Sequence, residues 1–156
     1  MIPITIISGG QTGVDRAAMD FALQNKIPLT GYCPKGRKAE NGIINKKYPL
    51  KELNDSRYAA RTRKNVNLSD GILIIKDEGR LGEGTILTIN YARKMKVAVF
   101  ECSLNRKLTE QILSFKSWVR KNKPTRLCIA GNRESQSPGI YLNTMKILPL
   151  LYGDYF

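Results

Sequence analysis

The 156-residue chain contains no histidine. That removes the usual general base, the usual zinc ligand and the usual partner of a nucleophilic serine or cysteine. Cysteine is sparse: Cys33, Cys102 and Cys128 lie far apart and form no CxxC pair. They offer no metal cage, and their odd number fits a reducing cytoplasm. No apolar run approaches the roughly 18 residues of a membrane-spanning helix. The first residues read as a strand, not as a charged, apolar and small-residue export signal. The length is enough for one domain over residues 1–156 with a core of its own.

Acidic residues are also short. Thirteen stand against 26 basic ones, a net charge of +13. The excess is local: residues 33–65 carry ten basic and three acidic side chains, residues 104–134 carry eight and two, and the remainder is neutral. Two basic zones point to anionic partners, either phosphate-bearing small molecules or nucleic acid, or else to a solvated basic surface. Single-strand binding calls for aromatic stacking platforms, and the first basic zone offers only Tyr32, Tyr48 and Tyr58.

What is present is an alternation. Apolar runs of strand length recur at Ile4–Ile7, Leu29–Tyr32, Gly71–Ile75, Val97–Phe100 and Leu127–Ala130. Between them lie helical patterns: Val14, Ala17, Ala18, Phe21 and Ala22 share one face, as do Leu108, Ile112, Phe115 and Val119. Further helices are expected at Arg57–Leu68, Thr85–Met95 and Tyr141–Leu151. Alternating elements with continuously apolar strands predict an α/β fold, doubly wound, with a mostly parallel sheet covered on both faces. Residues 34–55, with Pro34, Gly36, Gly42, Pro49 and many lysines, interrupt the alternation and read as a long loop.

Three glycine turns follow strand ends: Gly9-Gly10-Gln11-Thr12-Gly13, then "GRLGEGT" at residues 79–85, then "AGNRES" at residues 130–135. In an open parallel sheet these turns share the rim where ligands bind. At the first, strand, glycine pair and helix start suit an anion, because the first helical N–H groups lack partners and glycine admits close approach. The alternative is a tight turn with Thr12 or Asp15 capping the helix. Thr85 and Thr88 would face the crevice from the second turn, and Arg133 and Ser135 from the third. Lys35 and Arg37 can reach an anion from the end of the second strand. Arg61 and Asn65, one helical turn apart, present a guanidinium and an amide on one face. Cys33 reads as a buried residue or a soft ligand, and Asp70 as a cap on the turn before its strand. Gly10→Val is expected to block backbone approach while leaving the core filled.

The stretches "GGQTGVDRAAMDFAL", "GYCPKGRKAENG", "YPLKELNDSRYAARTRKNVNLSDGILII", "GEGTILT" and "AGNRESQSPGIY" together resemble the molybdenum cofactor carrier family, in order and over nearly the whole chain. The resemblance implies a Rossmann-like fold, a homo-oligomer (dimer or tetramer), and binding of the molybdenum cofactor, a pterin with a terminal phosphate. It implies storage or delivery to a molybdoenzyme, not chemistry. The binding residues it implies are Gly9, Gly10, Gln11, Thr12, Gly13, Lys35, Arg37, Arg61, Asn65, Gly82, Gly84, Thr85, Thr88, Gly131, Arg133 and Ser135, with no catalytic residue and no protein metal ligand. The chain departs from the family pattern at Glu83, between the glycines of the second turn, and at Asn132, where the family tends to have proline. The first turn is also similar to that of DNA-processing protein A, which binds single-stranded DNA. The second is similar to that of the lysine-decarboxylase-like phosphoribohydrolases, which cleave nucleotides. Those enzymes carry a catalytic glutamate three residues after the threonine. Here that position is Thr88, whose hydroxyl cannot act as a carboxylate base at neutral pH.

Overall fold

A computed structural model describes residues 4–153. Five parallel strands form the central sheet: β1 (Thr5–Ile7), β2 (Leu29–Thr30), β7 (Gly71–Lys76), β8 (Ala98–Ser103) and β9 (Arg126–Gly131), in the spatial order β2-β1-β9-β7-β8. Five helices accompany them: α1 (Val14–Gln24), α2 (Tyr58–Leu68), α3 (Glu83–Lys94), α4 (Leu108–Asn122) and α5 (Ile140–Tyr152). The expected doubly wound, Rossmann-like α/β architecture is what the chain adopts. Among the described residues no helix is long and apolar enough to cross a membrane.

Each strand's apolar run divides between two cores, because successive side chains point to opposite faces. Ile6, Leu73, Ile75, Leu127 and Ile129 pack under α1, α4 and α5, with Phe21, Phe115, Val119, Leu148 and Tyr152. Ile7, Ile72, Ile74 and Cys128 pack under α2 and α3, with Val66, Ile89 and Ala92. Burial on both sides is why these strands show no polar alternation. A fully buried isoleucine contributes roughly 1.5–3 kcal/mol, so this register is strongly held. Leu108, grouped with the buried face of α4 by its spacing, begins that helix and is exposed.

Three expectations need correction. The run Leu29–Tyr32 is not one strand. Gly31, at φ 142°, turns the chain so closely over β1 that a Cβ there would sit 2.1 Å from the Ser8 carbonyl oxygen. After it, β3 (Tyr32–Cys33) leaves the main sheet and pairs in parallel with β6 (Lys51–Glu52). Residues 34–55 are not merely a loop. They carry a small antiparallel hairpin, β4 (Lys38–Ala39) with β5 (Gly42–Ile43), and a core of their own. Cys33, Ala39, Ile44, Tyr48 and Leu50 are buried against Met19 of α1. The proline and lysine content hid this core, because its apolar residues follow no single period. Asp70 also differs from expectation. Its carboxylate accepts from Thr125 N–H (3.0 Å), Thr125 Oγ–H (2.7 Å) and Arg126 N–H (2.9 Å), tying the entry of β7 to that of β9.

Gly31→Ala should therefore destabilise the chain by at least ~3 kcal/mol, through left-region strain added to a backbone collision. Urea denaturation of the two proteins measures it; a change below ~1 kcal/mol would mean that the β2–β3 break tolerates a side chain.

Candidate functional site

The three glycine turns meet at one rim. A crevice of about 230 Å³ opens between α2 and the start of α3, over the carboxyl end of β9. Gly9, Gln11 and Asp15 line it from the first turn; Tyr58, Arg61, Thr62 and Asn65 from α2; Glu83, Gly84, Thr85 and Thr88 from α3; Cys128, Ala130, Gly131 and Arg133 from β9 and the third turn. Of the residues singled out in the sequence, Gly9, Gln11, Arg61, Asn65, Gly84, Thr85, Thr88, Gly131 and Arg133 thus come together. Thr12, Gly13, Gly82 and Ser135 stand close by on the rim without lining the crevice. Lys35 is exposed and lies off it.

The first turn is largely saturated from within the protein. Gly10 N–H donates to Ser8 Oγ (3.2 Å), Gln11 N–H to the Asp15 carboxylate (3.3 Å), Thr12 N–H to its neighbour Gln11 Oε1 (3.0 Å) and Val14 N–H to the Asn132 carbonyl (3.3 Å). Neither Thr12 nor Asp15 caps α1, whose N-cap is Gly13 with no side-chain bond. Gly10 does not face the crevice: at φ 79°, a Cβ would meet Ile44 Cδ1 and Leu50 Cδ1 at 2.7 Å. Gly10→Val would hit the core of residues 34–55, so it cannot serve as a clean block of ligand approach. Gly9 does face the crevice, and its missing side chain admits Arg61, whose Cδ lies 2.6 Å from where a Cβ would be.

The second turn remains open. A Cβ on Gly84 would meet no atom outside its own helix turn within 4 Å, so this face of the first turn of α3 opens on free space at the crevice. Thr85 Oγ–H donates to Asn132 Oδ1 (3.2 Å), and Thr88 Oγ–H to the Gly84 carbonyl (2.9 Å). Glu83, one of the two departures, begins α3 and is exposed at the crevice edge.

Arg61 is buried at the back of the crevice. Its Nη1 donates to the Gly9 carbonyl (2.6 Å) and lies 3.8 Å from Asp15 Oδ2. Asn65 has its amide engaged: Oδ1 accepts from Tyr32 N–H (2.8 Å) and Nδ2 donates to Tyr32 O (3.0 Å). Arg37 points into its own loop, where its guanidinium donates to the carbonyls of Ile44, Leu50, Asn45 and Tyr48 at 3.0–3.1 Å. It holds that loop's shape. Cys128 lies at the crevice floor, but burial pushes its thiol up to about 12, so it stays protonated. Tyr58, at the mouth, has Lys38 Nζ, Arg61 Cζ and Arg133 Cζ within 4.9, 5.4 and 5.8 Å of its ring centre. Sequence reasoning missed Tyr58, because nothing in one dimension shows three cations from separate segments converging on it.

Burial raises the Asp15 carboxyl from its ordinary 3.8 to about 6, although Arg61, the Gln11 N–H and Arg16 act in the opposite sense. A folded-state pKa above the unfolded one means that the folded chain keeps this proton longer. Stability from this group is greatest below pH 4 and declines as pH rises to about 6. The stability of the wild type relative to the Asp15→Asn variant should therefore fall by ~2–3 kcal/mol between pH 4 and 6 and stay level above that. Denaturant midpoints across the pH range test this; a level difference throughout would mean an ordinary, solvated carboxyl.

The spatial order of the sheet carries one further signal. Numbered from β9 onward, the strands lie in the order third, second, first, fourth, fifth, the arrangement of a Rossmann sheet whose chain has been cut and rejoined. The crevice lies at the switch point of that sheet, between β9 and β7. A comparison with protein families agrees: the model of the circularly permutated YpsA SLOG family matches residues 6–152. A crystal structure of a "putative molybdenum carrier protein" from Syntrophus aciditrophicus SB is 42% identical, aligned over 96% of this chain and 95% of that one, with a TM-score of 0.90. No curated protein matches the chain. The chain belongs to the circularly permutated YpsA SLOG family.

Proposed function

We propose that this protein binds the molybdenum cofactor, or a closely similar phosphorylated pterin, and stores or delivers it without transforming it. The observation that carries the reading is the open amino end of α3, with Gly84 facing free space between two guanidinium-bearing walls, Arg61 and Arg133. A helix start offers unpaired N–H groups and partial positive charge, the natural seat of a phosphate. The first turn is the weaker seat, because Gly10, Gln11, Thr12 and Val14 already have partners for their N–H groups. The volume of about 230 Å³ holds a phosphate and part of a ring but not the whole cofactor, so the remainder would extend through the mouth past Tyr58. Asp15 complements this arrangement: a carboxylate accepts the N–H groups of a pterin's amino-pyrimidine edge.

Storage without chemistry is supported by the groups at hand. The position of the related enzymes' glutamate holds Thr88, whose hydroxyl is bonded to its own helix. The likeness to a molybdenum carrier protein supports the same reading. A homo-oligomer and a molybdoenzyme recipient belong to this proposal as expectations of the family. Single-stranded DNA has less support: Tyr32, Tyr48 and Tyr58 each have two or more of the protein's own cations beside the ring, so none is a free stacking platform.

Calorimetric titration of the stable oxidised, phosphorylated derivative of the cofactor into the purified protein tests the reading. Wild type should bind it, Gly84→Val and Arg61→Ala should each weaken binding at least about tenfold, and removing the phosphate from the ligand should do the same. Circular dichroism checks folding of the variants. A folded wild type that ignores the derivative, while mass spectrometry finds no pterin in the purified protein, would overturn the proposal.

A further inference from the structure

Glu40 has no part in the reading above, yet its carboxylate accepts three hydrogen bonds on the rim and lies close to a guanidinium there. It sits at the tip of the β4–β5 hairpin. One carboxylate oxygen accepts from Thr12 Oγ–H and from Ser135 N–H (3.1 Å), and the other from Ser135 Oγ–H (2.5 Å). The second oxygen also lies 3.8 Å from Arg133 Nε. Two hydroxyls, a backbone N–H and a guanidinium from two different turns thus converge on one anionic group. Burial disfavours the charged carboxylate, but the bonds from Ser135 and Thr12 and the charge of Arg133 outweigh it and hold its pKa below the ordinary value. The carboxylate of Glu134, beside Ser135 in the chain, accepts instead from Gly139 N–H (2.6 Å) and Tyr141 N–H (3.0 Å) at the start of α5.

We propose that Thr12, Ser135 and Arg133 form an oxyanion subsite, that Glu40 fills it when no ligand is present, and that a tetrahedral oxyanion such as a phosphate group displaces Glu40 from it. Phosphate suits these donors better than carboxylate does. It brings a third terminal oxygen and up to twice the charge, so it can keep the two hydroxyls and the Ser135 N–H while drawing Arg133 in from 3.8 Å to bonding distance. The hairpin can also yield. Its strands are two residues each, Asn41 at its tip is exposed, and Ile43, at the far end of β5, is 80% accessible. Its roots stay fixed, since Arg37 grips four loop carbonyls and Ile44, Tyr48 and Leu50 are buried. The movement is thereby confined to residues 38–43. Its local cost is the bond from Glu40 N–H to Gln11 Oε1 (2.8 Å), the contact of Lys38 with Tyr58 and the partial uncovering of the buried Ala39. The subsite lies beside the crevice and does not depend on the pterin reading.

Inorganic phosphate and phenyl phosphate are the probes, titrated into the full chain at constant ionic strength. Glu40→Ala should bind at least one of them about tenfold or more tightly than wild type does, and the stronger of the two tells whether the subsite takes a free ion or an ester. Adding Ser135→Ala to that variant should return the affinity to the wild-type level. In the wild type, phosphate but not chloride should speed hydrogen exchange of the segment 38–43, a measurement that decides the matter if Glu40→Ala does not fold. A folded Glu40→Ala with no gain, a gain that survives Ser135→Ala, or exchange in the wild type indifferent to phosphate would each overturn the proposal. The outcome is separate from that for the pterin: a chain that fails to bind the oxidised cofactor can still show the Glu40 effect, and the reverse.

Discussion

The rim is tied together at Asn132. Its carbonyl accepts from Val14 N–H, its Oδ1 accepts from Gly82 N–H (2.8 Å) and Thr85 Oγ–H, and its Nδ2 donates to Arg80 O (2.9 Å) and Ser137 Oγ (3.0 Å). One buried residue on the third turn therefore holds the start of α1, the start of α3 and the approach to α5 in a fixed relation. A buried amide with all its groups satisfied specifies geometry sharply, because any shift leaves an unpaired group in a dry setting. A proline at this position would supply only a carbonyl. Asn132 adds four side-chain bonds, two of them accepted from the start of α3, and so holds Gly84 in place at the crevice.

The charges on the rim follow from the same closeness. Arg61 and Arg133 would repel each other and whatever cation approaches, and two of the protein's own carboxylates compensate. Asp15 stands near Arg61, and Glu40 near Arg133, each at 3.8 Å. Neither pair has bidentate contact, so each guanidinium retains donors that a ligand can use. Asp15 carries a burial cost that the Arg61 charge does not cancel, and a group held at such a cost is common where function needs it.

The parts of this fold legible in the sequence were those set by one-dimensional periodicity. β7, β8, β9 and all five helices follow from apolar runs and helical spacing, and the three glycine turns fall on one rim because a parallel sheet puts every strand's carboxyl end there. Three things were not legible. The break at Gly31 depends on how near Ser8 passes, a long-range contact. The core of residues 34–55 draws its apolar residues from a stretch without a regular period. The pairing of Glu40 with Thr12 and Ser135 joins positions 28 and 95 residues apart, and no local pattern marks it. Arg37 shows the converse hazard: a basic residue in a basic loop suggests an anion ligand, yet carbonyls of the same loop satisfy it.

Why the crevice survives a rearranged chain order follows from what a switch point is. It arises where neighbouring strands send their connections to opposite faces of the sheet, which depends on spatial order and not on where the chain begins. Here α5 and α1 lie on one face and α2 and α3 on the other, so a gap opens beside the carboxyl end of β9. In the permuted order β1 precedes β9, and all three glycine turns at the rim remain uncut. The turn after β9 then comes late in the sequence, yet it meets the first turn through Val14 and Asn132 as closely as a contiguous segment would. The geometry of the rim is thus a property of the spatial order of the strands.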